Sequence, residues 1–430
     1  MHIRLRRIYF LVMVLIFLIL APAVMGYAIG WRYNTATNKL EKVSAISIST
    51  QPDKATVTVD GRQNERLTPL SLNNLLAGVY TITISKNGYY SWEKEITAYT
   101  DQVTRIPLIR LLSVFEHSQQ INERTTTAIQ YSPKGSYWAV VTDADITIYD
   151  SKSKTTLWTY NAIPADGVIQ WSPDENYISY RSSVDNSVAG VIVPDQELFS
   201  ISALVSEPII SYQWSTEEPH ILYTHTGIGL YRVNVFQKTA TLLSAEPTGQ
   251  YVGGDLFMTR TDNQLTLHTA DLARSAVLNI PAHHMVLSSP PEQGYLLTLD
   301  QTAKRLFVTS LESLSTEHFL EQVVGIDWPT DSSKLLYFNT NELWIWDWQT
   351  QTKSLVLRTS SKITGARLIA DGHYVAYYGP ATNLTFIEVA GPQRNSYATT
   401  LSGVTAMTYH AQQQQLGVAS INGAYLYTTR

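Results

Sequence analysis

One short stretch recurs along the second part of the chain and limits its fold more than any other feature. It is plainest at residues 169–174, which read Ile-Gln-Trp-Ser-Pro-Asp. Related stretches occupy residues 129–133, 212–215, 326–329 and 406–409. Self-similarity at such a period is the signature of a repeat architecture, in which each unit buries its apolar face against the next.

Each repeat unit carries the pattern of four strands. In the first unit an inner strand ends at Tyr131, and strand-like runs at residues 137–141, 146–149 and 155–160 follow it across polar turns. The aromatic or apolar markers of the inner strands lie 35 to 43 residues apart and are Tyr131, Trp171, Trp214, Val252, Leu287, Trp328, Leu368 and Tyr409. Four strands in about 40 residues predict a propeller blade, so the expected fold class is all-β.

The number of units predicts how the ring closes. The eighth unit ends at residues 424–427 and lacks a fourth strand. Because an unpaired sheet edge is unfavourable, we expect residues 111–115, which precede the first inner strand, to supply the missing strand. This arrangement favours an eight-bladed β-propeller over residues 111–430. Seven blades are the alternative, because the fourth and fifth units match the pattern weakly.

The amino-terminal segment has the composition of a membrane span. Residues 8–31 contain no charged side chain. As a helix they would reach roughly 36 Å, enough for a hydrocarbon core of about 30 Å. We therefore predict a single transmembrane signal anchor, with Arg4, Arg6 and Arg7 keeping residues 1–7 in the cytoplasm and the bulk of the chain extracytoplasmic. The polar residues 32–43 predict a linker that leaves the membrane surface.

Two alternatives stay open for this segment. Residues 8–20 have the length of a signal-peptide apolar region, and Ala21-Pro22-Ala23 has the form of a cleavage site. Apolar residues continue as far as Ile29, which favours an uncleaved anchor. A helix buried in the protein core is the second alternative.

Residues 44–110 change to a period of two, with apolar side chains separated by Ser, Thr and other polar residues. The alternating apolar pairs are Ile46 and Ile48, Val57 and Val59, and Ile82 and Ile84. Such alternation predicts half-buried strands, and the turn signals Pro52-Asp53, Asp60-Gly61 and Asn87-Gly88 fall where strands must end.

The order of four signatures within this segment resembles the PEGA domain, a small β-sandwich module of bacterial and archaeal envelope proteins. The signatures are residues 49–61, Thr68-Pro69, residues 78–80 and residues 86–89. The resemblance implies a β-sandwich over residues 44–110. Lys54 stands where the family has a glycine before alanine, so we expect the turn, which needs positive φ, to be reshaped at that point.

The aromatic marker followed by Ser172-Pro173-Asp174 resembles the TolB-type and WD-repeat-like propellers. The family pattern continues with glycine, whereas this chain has Glu175, and Lys134-Gly135 replaces Asp-Gly in the first unit. The resemblance implies the propeller fold over about 320 residues. It carries over no active residue.

No motif for a catalytic or metal centre stands out. The absence of cysteine excludes disulfides, thiolate catalysis and cysteine-bound metals. The chain also lacks a Gly-x-Ser-x-Gly elbow, a phosphate-binding glycine-rich loop with lysine, and a His-Glu-x-x-His pair. His283 and His284 are adjacent, but neighbours in a strand point to opposite faces, so we interpret them as loop residues. We expect no catalytic, cofactor-binding or metal-binding residue.

The remaining candidate side chains have plainer interpretations. Asp143 with Asp145, and Glu217 with Glu218, are carboxylates without a visible partner, and we assign them to solvated turns. The tryptophan markers are expected to pack between blades rather than to form ligand cages. For the same reason the aromatic cluster of the PEGA-like segment is assigned to its core rather than to a sugar-stacking platform, and it consists of Tyr89, Tyr90 and Trp92.

These features predict a non-catalytic, membrane-anchored envelope protein that presents a propeller for protein or glycan binding. The expected partners are the membrane, through the amino-terminal helix, and an envelope protein or cell-wall glycan. A formal net charge of −5 argues against nucleic acid, whose binding depends on clustered Lys and Arg. One alternative is a glycan-active propeller enzyme that uses carboxylates in its central channel. Another is a structural scaffold of the cell surface.

Overall fold

The described residues of the chain fall into two compact units. A computed structural model describes residues 3–34, 38–161, 164–245, 249–253, 256–261, 264–269, 275–278, 280, 285–287, 294–300, 302–310, 312–313, 315–329, 332–391 and 393–430. One unit ends at Val114, and the other runs from Phe115 to Thr429.

The first unit begins with the one long apolar helix found among the described residues, α1 (Ile3–Ala28). Its stretch Tyr9–Ala28 is long and apolar enough to cross a membrane, with a mean hydropathy of 2.6. The apolar side chains from Tyr9 to Leu20 are exposed within this unit, which disagrees with the alternative of a buried core helix. The helix ends three residues before the predicted end of the anchor at residue 31. An antiparallel hairpin of β1 (Trp31–Asn34) and β2 (Lys39–Lys42) follows it, where a linker was expected.

The rest of the first unit is the small sandwich that the PEGA resemblance implies. Its strands are β3 (Ser44–Ile48), β4 (Thr50–Gln51), β5 (Thr56–Val59), β6 (Arg62–Leu67), β7 (Leu70–Leu75), β8 (Gly78–Ser85), β9 (Trp92–Ala98), β10 (Val103–Arg105) and β11 (Ile109–Arg110). They form the sheets β10-β3-β7, β6-β5-β8-β9 and β11-β4. Ile46, Ile48, Val57, Ile82 and Ile84 are fully buried between the sheets, so the period-two interpretation is confirmed.

The turn at Lys54 is not reshaped, contrary to expectation. Lys54 keeps the positive φ of 56° that the family's glycine supplies. Two contacts with Thr68 hold it there: the Lys54 N–H donates to the Thr68 carbonyl at 2.8 Å, and the Ala55 N–H donates to the Thr68 hydroxyl at 2.9 Å. These hydrogen bonds offset the cost of a left-handed backbone in a residue with a side chain, which is about 1–2 kcal/mol.

The second unit contains eight four-stranded antiparallel sheets built from described residues, which we number as blades 1 to 8. Blades 1 to 4 are β13 (Thr126–Tyr131), β14 (Tyr137–Thr142), β15 (Ile146–Asp150), β16 (Thr156–Tyr160); β17 (Pro164–Trp171), β18 (Tyr177–Ser182), β19 (Val188–Ile192), β20 (Glu197–Ser200); β21 (Ile209–Trp214), β22 (Ile221–Thr226), β23 (Leu230–Asn234), β24 (Thr239–Ser244); and β25 (Gly249–Gly253), β26 (Leu256–Thr261), β27 (Gln264–Thr269), β28 (Ser275–Leu278).

Blades 5 to 8 continue the same order, except that blade 8 takes its fourth strand from the start of the unit. They are β29 (Met285–Leu287), β30 (Tyr295–Asp300), β31 (Arg305–Ser310), β32 (Ser315–Leu320); β33 (Gly325–Asp327), β34 (Lys334–Phe338), β35 (Glu342–Asp347), β36 (Thr352–Arg358); β37 (Gly365–Ile369), β38 (Tyr374–Gly379), β39 (Thr382–Glu388), β40 (Ser396–Ala398); and β41 (Val404–His410), β42 (Gln415–Ser420), β43 (Gly423–Thr428), β12 (Gln119–Asn122).

Two of the inner-strand markers stack on the blade before their own. Trp171 stacks on Tyr137 of blade 1 with ring centroids 6.1 Å apart, and Trp214 stacks on Tyr177 of blade 2 at 5.7 Å. The inner strand of blade 1 also lies against that of blade 8, so the blades form a closed ring. A propeller fold is therefore confirmed, with aromatic packing between blades as predicted.

In blade 4 the sequence marker is one residue out of register. Tyr251, rather than Val252, faces the preceding blade, where it stacks on Tyr223 at 4.1 Å. Val252 faces the other way, into a core shared with blade 5. A shift of one residue moves a side chain to the opposite face of a strand, and this is why the fourth unit matches the repeat weakly.

The strand that closes the ring is β12, and the prediction of residues 111–115 for this role is wrong. Leu111 belongs to the core of the first unit. Phe115 begins a short 3₁₀ turn (Phe115–His117), and its ring packs against Phe386 and Tyr427 at 6.3 and 5.3 Å. The apolar character of residues 111–115 made them resemble a strand. The strand that closes the ring, Gln-Gln-Ile-Asn, is mostly polar because it lies at the outer edge of blade 8.

We predict that Gly423→Ala destabilises the propeller strongly. Gly423 has a φ of 133°, and a Cβ atom there would lie 2.0 Å from the Asn122 carbonyl oxygen in the closing strand. The loss in unfolding free energy is expected to exceed about 2 kcal/mol, as for other residues forced into an incompatible backbone. Urea unfolding followed by tryptophan fluorescence measures it.

Gly294→Ala is the matched control, because Gly294 also has a positive φ, of 79°, but has open space at its Cβ position. Equal destabilisation by the two variants would show that the backbone angle alone matters, and not the contact with the closing strand.

Candidate functional site

The two ends of the blades form two faces with different properties. We call the face that carries the turns between first and second strands the lower face. The upper face carries the turns between second and third strands and the connections from blade to blade. Binding residues of propellers lie on such loops, because the strands between them are packed on both sides.

Glu175 lies in the turn between β17 and β18 on the lower face and occupies the glycine position of the repeat. It has a φ of 72° and is buried, with an exposed fraction of 4%. Its carboxylate reaches the equivalent turn of blade 1, where it accepts hydrogen bonds from the Ser132 hydroxyl at 2.5 Å and from the Lys134 N–H at 2.6 Å. The departure from the glycine consensus therefore joins two neighbouring blades.

Similar contacts continue around the lower face. Gln413 of blade 8 donates to the Gly135 carbonyl of blade 1 at 2.5 Å and accepts from Ser151 at 2.9 Å. Gln414 donates to Asp371 of blade 7. Blades 2, 1, 8 and 7 are thereby linked turn to turn.

An ion pair joins the inner strands of blades 6 and 7. Arg367 of blade 7 lies 3.6 Å from Asp327 of blade 6, which also accepts from the Leu368 N–H at 2.7 Å. Burial raises the pKa of Asp327, while the Arg367 guanidinium and the Leu368 N–H oppose the rise. Among inner-strand residues whose side chains are described, Asp327 is the one carboxylate, and glycoside cleavage needs two.

The upper face exposes aliphatic side chains. Val184, Ile210, Ile228, Val324 and Ile421 lie on its turns and connections with exposed fractions of 86, 58, 45, 38 and 54%. Scattered single residues of this kind are ordinary. Three of them, however, belong to the adjoining blades 2 and 3, and these define the upper-face patch, which consists of Val184, Ile210 and Ile228.

Arg181 holds the upper-face patch in place. Its guanidinium donates to the Asn186 carbonyl at 3.1 Å in the turn that carries Val184. It also donates to the carbonyls of Ile209 and Ile210 at 2.9 and 3.0 Å, at the start of the inner strand of blade 3. The arginine therefore ties the two blades together beneath apolar side chains that stay exposed.

The carboxylates singled out in the sequence lie in turns, but two of them have partners, and the interpretation as solvated turns is wrong for Asp145. Asp145 is buried and forms an ion pair with Arg124 at 2.5 Å, whereas Asp143 is exposed. Glu218 pairs with Arg232 at 2.8 Å. His283 and His284 lie outside the described residues. Within the described ranges, no group of three acidic or histidine side chains could hold a metal ion.

Of the three aromatic residues singled out in residues 44–110, Trp92 and Tyr89 belong to the core of the sandwich. Trp92 is 2% exposed, and Tyr89 packs against the same core. The Tyr90 N–H donates to the Leu112 carbonyl at 2.8 Å. This arrangement favours the core interpretation over a sugar-stacking platform.

Two comparisons identify the parts of the chain. The family model of the PEGA domain matches residues 43–109, which confirms the resemblance of the small sandwich. A solved structure, the C-terminal WD40 domain of Sif2, is similar with a TM-score of 0.54 and 13% identity, and the alignment covers 72% of this chain and 98% of that chain. At this identity the likeness shows the propeller fold alone. No curated protein sequence matches the chain.

We predict that Glu175→Ala lowers the unfolding free energy by about 2–3 kcal/mol, because it removes the charged acceptor that the Ser132 hydroxyl and the Lys134 N–H share. Glu175→Gly also loses these bonds but relieves the left-handed backbone, which is worth about 1 kcal/mol. Urea unfolding should therefore rank the native protein first, the glycine variant second and the alanine variant third. An alanine variant as stable as the native protein would contradict the proposed link between blades.

We further predict that the propeller loses stability as the pH falls below about 6.5, the ordinary pKa of histidine. Burial lowers the pKa of His410, although the Pro133 carbonyl and Glu175 oppose the shift. The Gln413 N–H donates to Nδ1 of this ring at 3.3 Å, so Nδ1 must be unprotonated in the folded state. The unfolded chain then binds the extra proton, and stability is full above the unfolded pKa.

The expected slope for His410 is at most about 1.4 kcal/mol per pH unit for one proton. This slope is measured from unfolding curves between about pH 7.5 and about pH 5, a window that includes the ordinary pKa of histidine. His410→Gln should reduce the slope, and identical slopes in the two proteins would refute the assignment.

Proposed function

We propose that the protein is a non-catalytic, membrane-anchored envelope protein whose propeller binds a partner protein through its upper face. The observation that carries this proposal is the difference between the two faces. On the lower face the turns of neighbouring blades hydrogen-bond to one another, whereas the upper-face patch exposes three aliphatic side chains on adjoining blades. Exposed apolar groups that are held rigidly are suited to a protein contact.

Protein is favoured over glycan as the partner because of side-chain type. Sugars stack on aromatic rings, and the exposed patch consists of Val and Ile. The PEGA match supports an extracytoplasmic setting, since the family occurs in envelope proteins. The apolar helix supports an anchor rather than a free domain, and the arginines before it support a cytoplasmic amino terminus.

The alternative of a glycan-active enzyme has less support. It requires two facing carboxylates, and the channel offers Asp327 already engaged by Arg367. The alternative of a structural scaffold differs from the proposal mainly in the permanence of the partner contact, and the same experiment examines both.

The absence of cysteine makes a direct test possible, since any introduced thiol is unique. Val184→Cys and Ile228→Cys report on the upper face, and Phe236→Cys, exposed on the lower face, is the matched control. Spheroplasts are treated with a membrane-impermeant, thiol-reactive photo-crosslinker and then illuminated. We expect all three thiols to react, and a discrete protein adduct to form from Val184→Cys or Ile228→Cys but not from Phe236→Cys.

Each other outcome contradicts part of the proposal. Thiols that react only after lysis would place the propeller in the cytoplasm. Labelling without any upper-face adduct, or with equal adducts from both faces, would contradict the assignment of the binding face. An adduct that resists competition by excess unlabelled protein would favour a permanent scaffold contact.

A further inference from the structure

We infer that the hairpin of β1 and β2 is a lipid-binding element that lies in the headgroup layer of the bilayer, next to the end of the span. This inference rests on the membrane-anchoring part of the proposed function. It adds a second membrane contact, made by strands, to the contact made by α1.

The position of the hairpin follows from the length of the span. Tyr9–Ala28 contains 20 residues. At 1.5 Å per residue these cover about 30 Å, the thickness of the hydrocarbon core, so Ala28 lies at its edge. The headgroup layer is roughly 5–8 Å thick on each side. Trp31 and Tyr33 follow Ala28 within five residues. A hairpin that lies along the membrane plane therefore places both side chains at the depth of the headgroups.

One face of the hairpin carries three exposed apolar side chains. The register pairs Trp31 with Lys42 and Tyr33 with Leu40, and opposed residues in an antiparallel pair project to the same side. Trp31, Tyr33 and Leu40 therefore share one face with Lys42, whose ammonium is paired with Asp101 at 2.7 Å, and we call it the hairpin face. The exposed fractions of Trp31, Tyr33 and Leu40 are 41, 59 and 64%.

The opposite side of the hairpin is polar and internally bonded. Asn34 donates to Glu41 at 2.8 Å across the strands. Arg32 lies over the Tyr27 ring at 3.5 Å and donates to the carbonyls of Tyr27 and Trp31 at 2.7 and 2.9 Å. Arg32 thereby ties the hairpin to the last turn of α1, where the Tyr27 carbonyl also accepts from the Gly30 N–H at 3.2 Å.

Lipid is the occupant that these features favour. Trp and Tyr are the side chains that concentrate at membrane interfaces, because each has an apolar ring and a polar tip. The apolar side chains of the span that precede the hairpin are also exposed, among them Val24, Met25 and Ile29. Lys39 lies on the polar side with its side chain exposed, from which an ammonium group can reach lipid phosphate.

The experiment measures depth at single spin labels in the full-length protein. Tyr33→Cys and Leu40→Cys probe the hairpin face, Lys39→Cys is the matched control on the polar side, and Met13→Cys marks the span. The protein is reconstituted into nanodiscs of phosphatidylethanolamine and phosphatidylglycerol. Collisions of each label with oxygen, which concentrates in lipid, are compared with collisions with a water-soluble nickel chelate.

We expect the oxygen-to-nickel collision ratio at Tyr33→Cys and Leu40→Cys to exceed that at Lys39→Cys several-fold and to fall below that at Met13→Cys. A ratio equal to that of Lys39→Cys would place the hairpin in water and overturn the inference. Low collision rates with both reagents would show that a protein surface, such as a second copy of the chain, covers the face, and would equally overturn it.

Failure of the anchor itself gives a different result. In that case Met13→Cys would also favour nickel over oxygen, which contradicts the proposed function as well. Quenching of tryptophan by brominated lipids provides a measurement that needs no label. The native protein should lose more fluorescence than Trp31→Tyr when the bromine atoms lie near the headgroups, and equal losses would contradict the inference.

Discussion

The pairing of β12 with β43 is the contact on which the propeller depends. Each blade buries its faces against two neighbours, so the packing is complete only when the first and last blades meet. The β12–β43 ladder gives blade 8 its fourth strand and removes the edge that β43 would otherwise expose. Gly423 allows the two strands to approach, since a side chain at this position would collide with the Asn122 carbonyl.

Hydrogen bonds between turns reinforce the same seam. Gln413 and Gln414 join blade 8 to blades 1 and 7, and Glu175 joins blade 2 to blade 1. Glu175 and Gln414 are buried, and the turns of blades 7, 8, 1 and 2 are held to one another by these bonds. The proposal of the upper face as the binding surface rests on this bonding of turn to turn.

Periodicity predicted the large features of this chain because burial enforces it. The alternation of Ile46 and Ile48, and the recurrence of Trp171 and Trp214, each reflect one repeated packing environment, so the sandwich and the propeller could be inferred from sequence. Features that occur once in the chain, without a repeat, could not be inferred in this way. β12 is polar and was missed in favour of the apolar residues 111–115, and the role of Glu175 was visible only as a departure from glycine. The upper-face patch depends on exposed side chains, which follow no period.

The position of β12 also has a consequence for biosynthesis. Gln120 and Asn422, which meet across the closing seam, are 302 residues apart in the chain. At a synthesis rate of about 5–20 residues per second, roughly 15–60 s pass between the emergence of the two strands. Throughout that interval blade 1 lacks its last neighbour. The ring can therefore close only after β43 has been made, and until then the edge that β43 will cover on β12 stays open to other pairing.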